Sequence, residues 1–419
     1  MAVSVSLAQA GCVSSASFES SQSAVNNVVE SLENLRQKLL QEWRFSYAMK
    51  PKVEDVSVVT MNYIEREEVL RRLEYVVDNI LTSLSKDESP SIVYNSRSTW
   101  QNIRFTESAG LQMIPNTHAT EVRFDSLNSV NKFATTLQVM AMCYKLVQSN
   151  TFSTKRDVYY SDCQLYGSQS VVDGIIDNIS CMIKVPREAL HVLATSKGWI
   201  AGAIQFKDCD AGHIIDCSKT QTGIAIPANI NAVSEIASSA KMVLIVEKDA
   251  IFQKLLDDKI FEKLPPCILI TGRGFPDVGT RKMIKKLWNC LLIPILALVD
   301  ADPHGMEILF VYKYGSRGLS FDNEQMAVPV IKWLGVLPSD IDKLHLPRDS
   351  LIPLSKPDLE KARDLMKRPY YMSQPMFMTE MQILLSMNRK AEIEALTSIS
   401  RNYLTDVYLP TKIANQEWI

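Results

Sequence analysis

Two short apolar runs that end abruptly in acids constrain this chain more than anything else in it. They are Met242-Val-Leu-Ile-Val-Glu247 and Pro294-Ile-Leu-Ala-Leu-Val-Asp300-Ala-Asp302-Pro-His-Gly305. Runs this short, apolar throughout and partly β-branched, read as strands of a parallel sheet buried on both faces. Alternate side chains of a strand share a face, so Asp300 and Asp302 are predicted to project together. Open α/β sheets place their sites at the carboxyl ends of strands, where Glu247, Asp300 and Asp302 all fall. Carboxylates converging on one point repel one another unless a hard cation sits between them, and Mg²⁺ shared with a phosphate oxygen is the usual resolution. Singly, each acid reads equally well as a cap of the following helix. Together, with Gly305 allowing a helix to start close by, they predict a chain that handles phosphate esters.

The surrounding text fits a sheet with crossover helices. A strand at 242–246 leads to a helix from Asp249. A second, Cys267 to Thr271, leads through Gly272-Arg-Gly-Phe-Pro-Asp277 to a helix across Lys282 to Trp288. A third at 294–299 leads to a helix from Gly305, Val328 to Trp333 offers a fourth strand, and the tail from Lys356 is mostly helical.

Upstream, residues 1–24 are rich in Ser and Ala and read as a disordered lead. Val28, Leu32, Leu35, Leu39 and Trp43 then recur at helical spacing, as do Val69, Leu73, Val76, Val77, Ile80 and Leu81 between Ile64 and Leu84. These helices either pack on the rest of the chain or dock a partner. Phe133 to Val147 reads as a helix, Lys155-Arg-Asp-Val-Tyr-Tyr160 as a short extended piece, and Ser168 as the cap of a helix with Val171, Val172, Ile175, Ile176 and Ile179 on its apolar face. Gly198 to Phe206 and His213 to Cys217 flank a polar turn as a hairpin does, which predicts a winged helix-turn-helix over about 105–220.

Composition narrows the classes. With 419 residues, 46% of them hydrophobic and 22% charged, the chain has the makings of two or three soluble domains. The stretch from Cys290 to Val299, broken by Pro294, is too short to cross a bilayer, and no positive residue precedes the small apolar segment at the start, so neither membrane span nor secretion signal is expected. Eight cysteines without a Cys-x-x-Cys pair argue against a zinc knuckle or disulfide scaffold. A net charge of −2 leaves any grip on nucleic acid to local patches.

A phenol ionises near pH 10, so a tyrosine is a nucleophile only where cations stabilise its charged form. Arg156 lies close enough in sequence to help. On a strand Tyr159 and Tyr160 face opposite ways, and spacing alone leaves open which of them meets a cleft.

Lys155 to Tyr160, Glu247, Thr271 to Asp277 and Asp300 to Gly305, in this order, resemble the type IIB topoisomerase A-subunit family. Lys332-Trp-Leu-Gly335, Pro338-Ser-Asp340, Glu392-Ile-Glu394 and Tyr408-Leu-Pro410 fit it too, so the likeness runs from about residue 105 to the end. Asp177 to Arg187, Thr195 to Gly198 and Lys367 to Tyr370 resemble its meiotic branch. One departure is His304, where the family usually carries Tyr, and it is assigned no catalytic role.

The resemblance implies an α/β multi-domain protein. It makes 105–220 a CAP-like winged-helix domain with the catalytic tyrosine and 221–419 a Toprim domain, a Rossmann-like parallel sheet, with C-terminal helices, while composition and helical spacing make 1–24 the lead and 25–104 a helical N-terminal extension for partner docking. It implies that Tyr160 is the nucleophile, that Arg156 assists it, and that Glu247, Asp300 and Asp302 hold Mg²⁺. It further implies transesterification on double-stranded DNA by a homodimer, with other meiotic break-forming proteins and a topoisomerase VI B-like subunit, on meiotic chromosomes in the nucleus. Lys197, Arg273, Phe275 and Arg281 are the expected DNA contacts. Three rivals stand beside this reading. The A-type chain of a resealing topoisomerase VI would need an ATP-hydrolysing partner, since the sequence has no Gly-x-x-x-x-Gly-Lys loop. A Toprim-only hydrolase would leave protein-free ends. A scaffold would need neither the tyrosine nor the acids.

Overall fold

A computed structural model describes residues 15–48, 58, 61, 64–115 and 118–419. Its larger core is built on a six-stranded sheet ordered Ile224–Ala225, Trp199–Gly202, Cys267–Thr271, Met242–Val246, Ile295–Leu298 and Lys332–Gly335. The last four strands run parallel, as the alternating pattern predicts. Every residue of Met242–Val246, Cys267–Thr271 and Ile295–Leu298 is buried, which is why these strands are apolar throughout. The fourth strand starts later than Val328, at Lys332, because Pro329 has no amide to give to a ladder. Helices Asp249–Asp257, Val278–Leu291 and Pro303–Tyr314 follow the first three parallel strands.

Helix α1 (Ser15–Ala48) buries Val28, Leu32, Leu35 and Leu39 in this same core. Ser31 Oγ donates to the Ala414 carbonyl at 2.8 Å, and Arg36 Nε to that of Leu292 at 3.0 Å. The helix therefore packs on its own chain. The helix starts at Ser15, inside the segment read as a disordered lead, since extending an existing helix costs far less than nucleating one. Residues 1–14 lie outside the described residues.

Helices α2 (Arg66–Ser85), α3 (Val130–Ser149), α4 (Lys155–Tyr160) and the helix Gln169–Ile183 form a second core through Val69, Leu73, Val139, Cys143, Val158, Val172 and Ile176, among others. An antiparallel pair, Ser91–Asn95 with Ala119–Arg123, packs beside it. The expected hairpin does form between Ile204–Asp208 and His213–Asp216. It is not a wing on the helical core, however. Ile204 and Phe206 are buried in the core of the six-stranded sheet, and Val233–Ser238 adds a third strand to the pair. The chain passes between cores after Val192 and before Ile200. Gly202 permits the turn from Trp199–Gly202 into Ile204–Asp208: its φ is +105°, and a Cβ there would stand 2.3 Å from the Cys267 carbonyl.

Candidate active site

Glu247 and Asp300 meet because two parallel strands end level. Val246 pairs with Leu298, so Glu247 emerges beside the residues leading to Asp300. The Asp300 amide donates to Glu247 Oε2 at 2.8 Å. Asp300 Oδ1 accepts from the Ile393 amide at 2.9 Å, and its Oδ2 lies 3.0 Å from Lys248 Nζ. The same lysine pairs with Glu392 and Glu394, at 3.1 and 2.9 Å. Asp302 caps the helix Pro303–Tyr314 by accepting from the Gly305 amide at 2.7 Å, and its other oxygen lies 3.6 Å from Lys390 Nζ. A Cβ at residue 305 would stand 2.4 Å from the Asp300 carbonyl, so only glycine lets the helix start here.

Burial pushes the Glu247 carboxyl up to about 8, and the neighbouring Asp300 charge adds to the push. Burial likewise pushes Asp300 up to about 6, against the pull of the Ile393 amide and the Lys248 ammonium. Lys248 itself is half-buried, yet Glu394 and Asp300 hold its ammonium above the usual lysine range. Oxygen donors without sulfur or imidazole, whose charges burial and proximity make costly, suit a hard divalent cation. As they stand, no three His, Cys, Asp or Glu side chains among the described residues are grouped closely enough to hold one; two lysines balance the charge instead. Sequence reasoning noted Glu392-Ile-Glu394 without giving it a place, and missed Lys248 although it follows Glu247 directly.

The tyrosine segment is not extended but helical. Thr154 accepts from the Asp157 amide at 3.2 Å, and Asp157 Oδ2 accepts from the Thr154 amide at 3.0 Å. This reciprocal cap starts α4, and its sequence signal, Thr-x-x-Asp, was there to be read. On a helix, Arg156 and Tyr160 stand four apart and share a face. Val158 is buried in the helical core and Tyr159 is half-buried against it. Tyr160 is 69% exposed, and neither its side chain nor that of Arg156 has a hydrogen-bond or ion-pair partner among the described residues.

Three of the expected DNA contacts gather beside the acids. The Gly274 amide donates to the Glu247 carbonyl at 2.8 Å, tying the 272–277 loop to the metal-candidate acid. Lys197 Nζ donates to the Arg273 carbonyl at 3.4 Å, and the Arg273 guanidinium lies 4.9 Å from the centre of the Trp199 ring and 3.2 Å from Asp249. Lys197, Arg273 and Phe275 are exposed. Arg281 is not with them. It is 1% exposed and donates to Asn323 Oδ1 at 3.0 Å. Its position puts it on the helix face of Ile284 and Trp288, three and seven residues on, which is the inward face. His304 lies 3.7 Å from Asp358, near the rim.

Arg156 and Tyr160 therefore stand on one core and Glu247, Asp300 and Asp302 on the other. Residues 242–413 match the family model described as the Toprim domain of Spo11 and the topoisomerase 6 A-subunit, and residues 131–192 match that of type IIB DNA topoisomerase. The human protein named "Meiotic recombination protein SPO11" is 49% identical over 352 residues, covering 84% of this chain and 89% of that protein. The chain belongs to the Spo11/topoisomerase VI A-subunit family. The mouse member of that name is also 49% identical over 352 residues, with the same coverage. The A-subunit of DNA topoisomerase 6 from Arabidopsis thaliana is 39% identical over 297 residues, 71% of this chain and 69% of that protein. The Spo11/topoisomerase VI Toprim match contains all three acids, and the type IIB match contains α4 with Arg156 and Tyr160. No described helix is long and apolar enough to cross a membrane.

Proposed function

We propose that this chain makes the DNA double-strand breaks that initiate meiotic recombination, by transesterification rather than hydrolysis. The observation that carries the reading is Tyr160, 69% exposed on the face of α4 that it shares with Arg156. The phenolic oxygen attacks a DNA phosphorus and the bond to the 3′ oxygen breaks, leaving a 3′-hydroxyl and a 5′-phosphotyrosyl link. No water is consumed, and the energy of the phosphodiester is kept in the link. The Arg156 guanidinium neutralises the scissile phosphate with paired N–H donors. Glu247, Asp300 and Asp302 would hold Mg²⁺, whose charge stabilises the phosphate and the departing oxygen. Lys197, Arg273 and Phe275, on the rim of the acid site, hold the duplex through its backbone with little sequence preference.

The helical core with its two-stranded pair is read as the winged-helix domain, followed by the Toprim sheet. The family resemblance implies a composite site, in which the tyrosine of one protomer of a homodimer meets the acids of the other, and the placement of the two groups on different cores is compatible with it. Two offset cuts then give a break with short 5′ overhangs. Other break-forming proteins and a topoisomerase VI B-like subunit complete the assembly on chromosomes in the nucleus. The test is plasmid cleavage with Mg²⁺, with the B-like partner present, by the native chain and Tyr160→Phe. The reading expects 5′ ends that enter a gel only after protease digestion, from the native chain alone. Protein-free ends from both would sink it.

A further inference from the structure

In a dimer whose two sites each join the tyrosine of one protomer to the acids of the other, both sites form only if each protomer keeps its own two cores in register. The described interface between them is spanned by buried charge, and one side chain reaches both sides. Arg97 Nε donates to Asn178 Oδ1 at 2.8 Å, and one terminal nitrogen donates to the Gly174 carbonyl at 3.1 Å, both on the helix Gln169–Ile183. Its other terminal nitrogen donates to the Gly318 carbonyl at 2.7 Å, and the guanidinium lies 5.7 Å from the centre of the Phe321 ring. Gly318 and Phe321 belong to the 3₁₀ segment Arg317–Gln325. That segment is fixed to the sheet side, since Asn323 accepts from Arg281 at 3.0 Å and donates to the Tyr314 carbonyl at 2.8 Å.

Arg97 also meets Asp177, with 3.5 Å between them, and Asp177 is where the constraint reaches the tyrosine. Its carboxylate lies 3.6 Å from Arg187 and 3.6 Å from the ammonium of Lys155. Lys155 is the first residue of α4, and its side chain is only 12% exposed. A second buried contact runs in parallel: Lys282 donates to Glu188 across the same interface at 2.7 Å.

We propose that Arg97 and Asp177 are positioning residues, Arg97 tying the tyrosine-bearing core to the acid-bearing one and Asp177 passing that constraint through Lys155 to α4, so that Tyr160 stands at a fixed place. A planar fork is needed for this, because only a guanidinium makes directed bonds to both sides at once. Burial of the pair is not in itself a source of stability, since replacing such charges is often neutral for folding. Its effect is on orientation. The role assigned to Tyr160 above underlies the cleavage arm of the test but not the exchange arm.

The test uses the full chain as Arg97→Lys and Asp177→Asn, beside native protein. Amide hydrogen exchange is followed in α4, at 159–161, and in α3 as an internal reference. Exchange in α4 is expected to speed up about tenfold while α3 is unchanged. Single-turnover cleavage at saturating DNA is expected to fall on the order of tenfold to a hundredfold, with the Kd for DNA unchanged. Unchanged exchange in α4, or equal acceleration in α3, overturns the proposal. If the native chain forms no protein-linked ends, the role of Tyr160 fails and the exchange result still decides this one. Should Arg97→Lys not fold, Lys155→Gln at the end of the same series of contacts is expected to loosen α4 alone, and an unmoved α4 in that variant is equally fatal.

Discussion

The backbone amide of Asp300 donates to the Glu247 carboxylate at 2.8 Å, joining the ends of two neighbouring parallel strands at the point where their charges repel most. That bond fixes the spacing of the two acids without any metal. With Lys248 it offsets only part of the repulsion, since burial and the Asp300 charge still push Glu247 up to about 8. A divalent cation bound there relieves it, which gives the site an affinity that can be read as stability.

Mg²⁺ at millimolar concentration is therefore expected to raise the melting temperature of the native chain by a few degrees, corresponding to about 1–2 kcal/mol. Glu247→Gln removes one ligand. It is expected to melt no lower than native without Mg²⁺, to gain nothing from Mg²⁺, and to give no cleavage. Calorimetry with and without the ion, beside a cleavage gel, checks all three, and an unchanged Mg²⁺ response in the variant would count against Glu247 as a ligand.

The two tyrosines separate cleanly. The Tyr160 side chain has no hydrogen-bond partner among the described residues and is 69% exposed, so Tyr160→Phe is expected to alter stability by less than about 0.5 kcal/mol while abolishing protein-linked ends. Tyr159→Phe is expected to keep them. The reverse pattern in a protease-dependent gel assay would move the nucleophile to Tyr159.

Thr154→Ala removes half of the cap that starts α4. A loss of about 1 kcal/mol is expected in denaturant unfolding. Cleavage should fall more than that loss of folded protein explains, because the frayed turn is the one that carries Arg156.

Arg273 and Arg281 lie on the same loop and helix but should fail differently. Arg273→Ala is expected to weaken binding to all DNA sequences and to reduce the slope of log K against log salt by about 1. Arg281→Ala strips the buried Asn323 and Asp322 of a neighbouring cation and is expected to cost about 2–4 kcal/mol of stability. Among molecules that remain folded, its salt slope should match native. Fluorescence titrations across salt separate the two cases.

Lys313 supplies the pH dependence. Burial pushes its ammonium down from 10.5 to about 7, although it donates to the Pro329 carbonyl at 2.7 Å. The folded value lies below the unfolded one, so between pH 7 and 10.5 the unfolded chain binds the extra proton and stability rises with pH. Below pH 7 both states are protonated and this contribution is flat. Lys313→Met is expected to remove the rise, which melting curves from about pH 6.5 to 9.5 will show.

The sequence by itself determined the parallel strands and the three acids at their carboxyl ends. Strands buried on both faces must be apolar at every position, and that requirement is written within single short windows such as Met242 to Glu247. Gly305 was legible for the same reason, since its need is local. The tertiary structure decided which surfaces meet. It made Lys155–Tyr160 a helix, too short for its period to be visible and started by a reciprocal cap. It laid the hairpin at Ile204–Asp216 on the sheet instead of the helical core, and it turned Arg281 inward. It also seated α1 on a helix 383 residues away, through Ser31 and Ala414. A local pattern sets the period of an element and the face that seeks burial, whereas the identity of the covering surface depends on contacts between residues far apart in the chain.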